Sequence, residues 1–200
     1  MKRTCILVAL IAALVAPIWA QNNGKTPDGF EWNVFNGVIE ITGYTGTATT
    51  VRIPDKINNI SVAVIEGEAF KGNTKITSVT IPNTVTTIQA EAFASCVNLT
   101  SVTLSSSLTE IHVRAFSGCT KLTGITLPAS IKSIAGGAFR NCSALTTVNI
   151  PDSVRSITFG FDSYNVFSKA SIVSDNIFQG TKLNDASRQR LVNLGYTGAF

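Results

Sequence analysis

The residue best suited to proton chemistry is His112, the single histidine, two positions after Glu110. A base beside a carboxylate, with hydroxyl side chains nearby, makes a Ser-His-acid set the one catalytic constellation to weigh. Both residues sit on one short segment, however, and no second segment is marked out to converge on them. The sequence holds no glycine-rich phosphate loop, no His-Glu-x-x-His, no Cys-x-x-Cys pair and no calcium-loop spacing of aspartates. The expectation is an exposed histidine, aligned with Ala90 and Gly136, in a chain that is not an enzyme and uses no cofactor.

Cys96, Cys119 and Cys142 are the other reactive groups, spaced evenly along the chain, with Asn73 in the equivalent place of an earlier unit. An oxidising compartment would permit a disulfide, and stacked positions about 5 Å apart lie within its reach. Three thiols pointing inward in parallel read instead as a buried ladder, with one disulfide between neighbours as the alternative. A closed zinc site needs four ligands around one point rather than three in a line, so no metal is expected.

The spacing that sets out the cysteines governs the whole middle of the chain. Three consecutive blocks of 23 residues, 81–103, 104–126 and 127–149, align without a gap, and Ala-Phe recurs at Ala69-Phe70, Ala92-Phe93, Ala115-Phe116 and Ala138-Phe139. A Leu-x-x-Val/Ile-x-Ile/Leu run returns as Leu99, Val102, Leu104, then Leu122, Ile125, Leu127, then Leu145, Val148, Ile150, the strand signature of a leucine-rich repeat. A second apolar pair follows in each unit, as Val85 and Ile88, Leu108 and Ile111, Ile131 and Ile134, Val154 and Ile157. One such unit cannot bury its apolar face alone; stacked units can, with strands about 4.8 Å apart and equivalent residues in columns.

Those columns assign the remaining residues. Phe70, Phe93, Phe116 and Phe139 are expected to form an internal aromatic spine, an exposed aromatic strip being the alternative. Pro54, Pro82, Pro128 and Pro151 come directly after a strand's last apolar residue and end it, because proline lacks the N–H a ladder needs. The outward positions Ser78, Thr80, Ser101, Thr103, Gly124, Thr126, Thr147 and Asn149 form a small, uncharged strip. It reads either as residues that merely suit an exposed strand or as a shallow binding face. Four or five strands give a strip about 25 Å long, small against the ~800 Å² per side of a stable complex. Weak or multivalent contact therefore fits it better, with the flanking Lys71, Arg114, Lys121 and Arg140 in reserve.

With 44% hydrophobic and 14% charged residues, the 200-residue chain has the composition of one ordinary folded domain. Residues 1–20 have the layout of a signal peptide: Lys2 and Arg3, an apolar run from Cys5 to Ala16, Pro17, and Ala20 before a polar stretch. The run is short for a span, which needs about 20 apolar residues. Removing it takes two of the 16 basic and none of the 12 acidic residues, leaving a small positive charge without a basic run. That balance excludes a nucleic-acid footprint. No later stretch is long enough to cross a membrane and no cysteine stands where a lipid anchor would attach.

Residues 21–52 are expected to hold a hairpin around Asn36-Gly37, with Trp32 and Tyr44 plugging the first coil. Repeats are assigned to 53–157, and an irregular last repeat with a C-terminal cap to 158–200. There Phe159-Gly160-Phe161 breaks the register, Asn165-Val166-Phe167 resumes it, and Ile172-Val173 adds a strand. A helix starting at Asp185 as cap carries Leu191 and Leu194 onto the last coil and stops at Gly195.

The unit Ile/Leu-Pro-x-Ser/Thr-Val-x-x-Ile, followed by Ala-Phe-x-x-Cys-x-x-Leu-Thr-x-Val, resembles the BspA-like class of leucine-rich-repeat proteins over roughly residues 30–157. The hairpin and the run Gly43-Tyr44-Thr45-Gly46-Thr47-Ala48 are similar to that class too. The expected fold is a repeat solenoid, a right-handed leucine-rich-repeat coil with a parallel β-sheet on its concave face, an N-terminal β-hairpin cap and a C-terminal helical cap. The resemblance implies a secreted or surface-exposed protein that acts in adhesion; with a cap at each end a monomer is expected, and its expected partner is an extracellular protein or glycan. A periplasmic or envelope scaffold with bacterial partners only is the other class of function.

Overall fold

The computed structural model describes residues 22–154, 158–159 and 177–200. The leader of residues 1–20, the Asn165-Val166-Phe167 run and the Ile172-Val173 strand lie outside them.

Strands β1 (Asn23–Lys25), β2 (Phe30–Phe35) and β3 (Val38–Tyr44) pair antiparallel in sequence order. The β2–β3 turn places Asn36 at φ 50° and Gly37 at φ 80°, the paired left-handed geometry that Asn-Gly accommodates and that matches strand twist. Trp32 and Phe30 are buried, and Tyr44 packs its ring 5.0 Å from Phe30 and 5.4 Å from Phe70. The hairpin thus adjoins the first coil as expected.

Each coil then contributes two short strands rather than the single one expected. The Leu-x-x-Val-x-Ile segments give β4 (Thr50–Arg52), β7 (Ser78–Thr80) and β9 (Ser101–Thr103) in one parallel sheet, and β11 (Gly124–Thr126) with β13 (Thr147–Asn149) in another. The second apolar pair gives β8 (Thr87–Ile88), β10 (Glu110–Ile111), β12 (Ser133–Ile134) and β14 (Thr158–Phe159). These join β6 (Ile60–Ile65), which pairs with β3 on one edge. A two-residue strand, β5 (Lys56–Ile57), pairs antiparallel with β6. The longest sheet is therefore built on what looked like a return path. Its alternation explains it: Ile88, Ile111 and Ile134 are fully inside while Thr87, Glu110 and Ser133 face outward.

A third set of bonds links the coils at their turns. Phe93, Phe116 and Phe139 N–H groups donate to Ala115, Ala138 and Ile177 carbonyls at 2.7–2.8 Å. Two left-handed columns flank this ladder: Glu68, Glu91, Arg114 and Gly137 on one side, and Gly72, Ser95, Gly118, Asn141 and Gly180 on the other. The second column is the more consistent in type, holding glycine, asparagine and one serine where φ must be positive.

Inside, the phenylalanines stack as expected. Centroids from Phe70 through Phe93 and Phe116 to Phe139 are 4.8, 5.2 and 5.4 Å apart with planes within 13°, and all four rings are buried. Each buried ring stabilises by about 2–3 kcal/mol, with offset stacking adding a further increment.

The C-terminal end differs from expectation in three places. Phe178 continues the aromatic column, 5.4 Å from Phe139, and Ile177 stands in the alanine's place, so the unit resumes there. In the long sheet Phe159 pairs opposite Ile134, two positions later than the Ile157 that a strict 23-residue period selects. Helix α1 spans Asp185–Asn193, and its N-cap is Asn184, whose side chain accepts the Ser187 N–H at 2.8 Å; Asp185 lies in the first turn. Leu191 and Leu194 are buried as foreseen. Ser187 Oγ also accepts the Val148 N–H, tying α1 to β13.

Candidate functional site

The outward strip lies on the shorter sheets. Val51, Val79, Ile125 and Val148 point in and are almost fully buried, so their neighbours must face out. Ser101, Thr103, Thr126 and Asn149 are exposed, and Ser78, Thr80, Gly124 and Thr147 half-buried. The register pairs Ser78 with Ser101, Thr80 with Thr103, Gly124 with Thr147 and Thr126 with Asn149. Within the columns Ser101 Oγ donates to Ser78 Oγ at 3.0 Å, and Asn149 Nδ2 approaches Thr126 Oγ1 at 3.4 Å. The eight predicted positions are thus brought together on one face. Sequence reading missed the first members of the two columns, Thr50 and Arg52 on β4, which pair with Ser78 and Thr80.

A second hydroxyl column borders the strip. Thr100 and Thr146 donate through Oγ1 to the carbonyls of Thr77 and Thr123, and Thr77 to that of Thr49. These hydroxyls bridge coil to coil and leave the strip's own side chains to face solvent.

The flanking cations are largely engaged. Lys71 sits 2.9 Å from Glu68 and 2.6 Å from Glu91, Arg114 is 3.5 Å from Glu91, and Lys121 donates to Asn98 at 2.7 Å. The Lys71 hydrogen bond holds the Glu91 carboxyl below the usual carboxylate range.

His112 is buried, at 3% exposure, not exposed as expected. Backbone bonding places it in the column of Gln89 and Ala135, since the N–H groups of Gln89, His112 and Ala135 donate in turn to the carbonyls of Ile65, Ile88 and Ile111. The alignment with Ala90 and Gly136 is one position off. Its Nε2 lies 3.2 Å from Glu110 Oε2, so the pair foreseen from sequence exists on the long sheet, away from the strip.

The cysteines are free and fully buried. Cys96, Cys119 and Cys142 each donate Sγ–H to the phenylalanine carbonyl of the preceding coil, Phe70, Phe93 and Phe116, at 3.1–3.2 Å. Burial pushes the Cys96 thiol up to about 12. Cys119 is raised further, first by its hydrogen bond with Cys142 and then by burial. In the first unit Asn73 closes the turn by accepting the Lys75 and Ile76 N–H groups. Among the described residues no cluster of three or more His, Cys, Asp or Glu could hold a metal, and no helix is long and apolar enough to cross a membrane.

Against known proteins, residues 43–173 match the model of the BspA type leucine rich repeat region, in six copies. The chain belongs to this family. Solved members of the wider leucine-rich-repeat group agree with the fold. A leucine-rich repeat protein from Bacteroides capillosus ATCC 29799 is 30% identical over 66% of this chain and 99% of its own, with a TM-score of 0.60. A leucine rich cell surface protein from Faecalibacterium prausnitzii A2-165 is 25% identical, with 80% of this chain and 47% of that one covered and a TM-score of 0.56. The T. pallidum leucine rich repeat protein, 24% identical, covers 92% of this chain and 97% of its own at a TM-score of 0.50, a likeness of fold. No curated protein matches the chain. As a BspA-type repeat protein it has a scaffold compatible with protein binding, and the stacked Phe and Cys columns are its structural signature.

Proposed function

We propose that this BspA-type protein is exported, with residues 1–20 as its signal peptide, and acts as a monomeric, non-enzymatic binding module of the cell surface or medium. Its role is adhesion or protein–protein contact with extracellular or host partners. One observation carries the reading: on adjacent coils the strip presents uncharged hydroxyl and amide side chains in register, where apolar packing has no use for them. The surface description of the Faecalibacterium prausnitzii relative supports the location. His112 and Glu110 are read as structural because the histidine is enclosed. A strip about 25 Å long gives weak single contacts, so display in many copies would supply the avidity.

The first test is protease treatment of intact source cells, with a periplasmic protein as internal control. Digestion of this chain while the control stays whole is the expected result. Protection of both would sink the adhesin reading in favour of an envelope scaffold. A second test coats beads with the full chain and counts their attachment to host-cell surfaces. The double variant Thr103→Glu/Thr126→Glu should cut attachment severalfold with unchanged circular dichroism; undiminished attachment would remove the strip from the mechanism.

A further inference from the structure

The run from Gly43 to Ala48 has no part in the strip, yet it shapes a cavity of about 650 Å³ at the hairpin end. That volume lies within the range of small-ligand pockets. Two loops form its walls. One is the turn closed by Thr26, whose carbonyl accepts the Gly29 N–H at 3.0 Å and whose Oγ1 accepts the Phe30 N–H at 3.0 Å. The other begins at Thr45, whose N–H and Oγ1 both donate to the Gly29 carbonyl, at 2.9 and 3.3 Å. Gly46 makes the clasp possible: a Cβ there would collide with the Asp28 carbonyl and the Tyr44 hydroxyl. The walls are therefore fixed before any ligand arrives.

The chemistry of the lining is specific. Arg52 is exposed on β4, and its side chain has no ion-pair or hydrogen-bond partner among the described residues. It is also the one ionisable side chain in the strip's columns. Lys25 also lines the cavity and is paired with Glu31 at 3.6 Å. Asp28 and the exposed hydroxyls of Thr47 and Thr50 complete the polar lining. An unpaired guanidinium calls for a planar anion it can grip through two N–H groups. The Asp28 carboxylate in the same lining penalises a bare anion and rewards one that also carries hydroxyl donors.

We propose that this cavity binds a carboxylate-bearing sugar of the uronic-acid type, its carboxylate on Arg52 and its hydroxyls shared among Asp28, Thr47 and Thr50. The site lies outside the eight-residue strip and does not depend on what the strip binds. Because Thr50 and Arg52 begin the strip's columns, a longer acidic glycan held here would run onto them.

The test is calorimetric titration of the full chain with tetragalacturonate, against neutral tetragalactose, tetraglutamate and inorganic phosphate. Binding should favour the uronate, weaken as salt rises, fall about tenfold in Arg52→Ala and several-fold in Asp28→Asn. Both side chains are exposed, so thermal unfolding of the two variants should match the parent and separate lost binding from lost fold. Equal affinity for tetragalactose would overturn the carboxylate assignment. Preference for tetraglutamate or phosphate would make the cavity a general anion site and overturn the sugar assignment. No heat or shift with tetragalacturonate at millimolar concentration, or an Arg52→Ala variant that binds like the parent, would overturn the proposal outright. Loss of bead attachment in the strip variant alone, with uronate binding intact, would show that the two sites act separately.

Discussion

The two strand layers of the solenoid are made by the same coils yet differ in continuity. The long sheet runs unbroken from β1 to β14, whereas the strip-bearing sheet parts between β9 and β11. At that break the strand sits shallower: Val102 and Leu104 are half-buried, while their column mates Val79, Ile125, Ile81 and Leu127 are almost fully enclosed. The break coincides with the one gap in the proline column, where Ser105 stands in the place of Pro82 and Pro128. The turn side has no such lapse, because its phenylalanine and cysteine columns repeat without substitution through three units. Buried identity keeps the coils in register, and the outward face is left freer to vary.

The largest effect should come from cutting the regular side. Phe116→Ala removes a ring stacked on both neighbours and should cost about 3–5 kcal/mol. Val102→Ala at the break should cost about 1 kcal/mol, since the side chain is only partly buried. Urea unfolding of the two variants decides it, and equal costs would mean that the columns do not carry the stability. Next in size is Cys119→Ser, at about 1–2 kcal/mol: a shorter hydroxyl must reach the Phe93 carbonyl from a site that disfavours polarity. The thiols themselves should stay silent to a disulfide reagent at pH 8, since a group raised like Cys96, to about 12, carries little thiolate. Rapid modification of the native protein would contradict that enclosure.

What the sequence disclosed follows the same division. The 23-residue period, the aromatic spine, the thiol ladder and the strip were legible because each rests on identical residues at a fixed spacing. Phe178 was not, although Phe178-Gln179-Gly180-Thr181-Lys182-Leu183 parallels Phe116-Ser117-Gly118-Cys119-Thr120-Lys121-Leu122. An insertion stretches the interval from Phe139, threonine replaces the cysteine, and one residue is missing before the lysine. Thr50 and Arg52 escaped for a related reason, since the interval from β4 to β7 is longer than one period. The burial of His112 was hidden because its column mates, Gln89 and Ala135, share no chemistry with it. The second strand of each coil was misread as a return path because two residues are too few to show alternation by themselves.

A small gain should come from repairing the break. Among the described residues the Ser105 N–H makes no backbone hydrogen bond, and proline already serves the equivalent place in the coils on either side. Ser105→Pro would lose only the bond that its Oγ accepts from the Ser107 N–H, and would narrow the unfolded ensemble. A gain of about 0.5–1 kcal/mol is expected, read as a rise in the urea midpoint. Amide exchange at Thr103 and Leu104 should slow with it; a loss of stability would show that the shallow strand needs the serine's conformation.

The smallest test falls on the sheet that never breaks. Glu40, on β3, is 8% exposed, and its carboxyl is raised above the ordinary value, first by burial and then by the hydrogen bond and charge of Glu66, with Asn33 opposing. A carboxyl that holds its proton more tightly when folded than when unfolded penalises folding above its folded pKa, and relieves the penalty as pH falls through that value toward the unfolded one. Glu91 on the turn ladder has the opposite sign, its contribution being present above the unfolded pKa and lost as pH falls through its lowered one. Glu40→Gln should therefore stabilise at pH 7 by on the order of 0.5 kcal/mol, a degree or two in Tm. It should also flatten the gain that the parent shows on acidification from pH 7 toward 4.5. If the variant instead loses stability at pH 7 and keeps the parent's slope, the Glu40–Glu66 contact is a support of the long sheet, and its unbroken run owes something to polar pairing as well as to the buried columns.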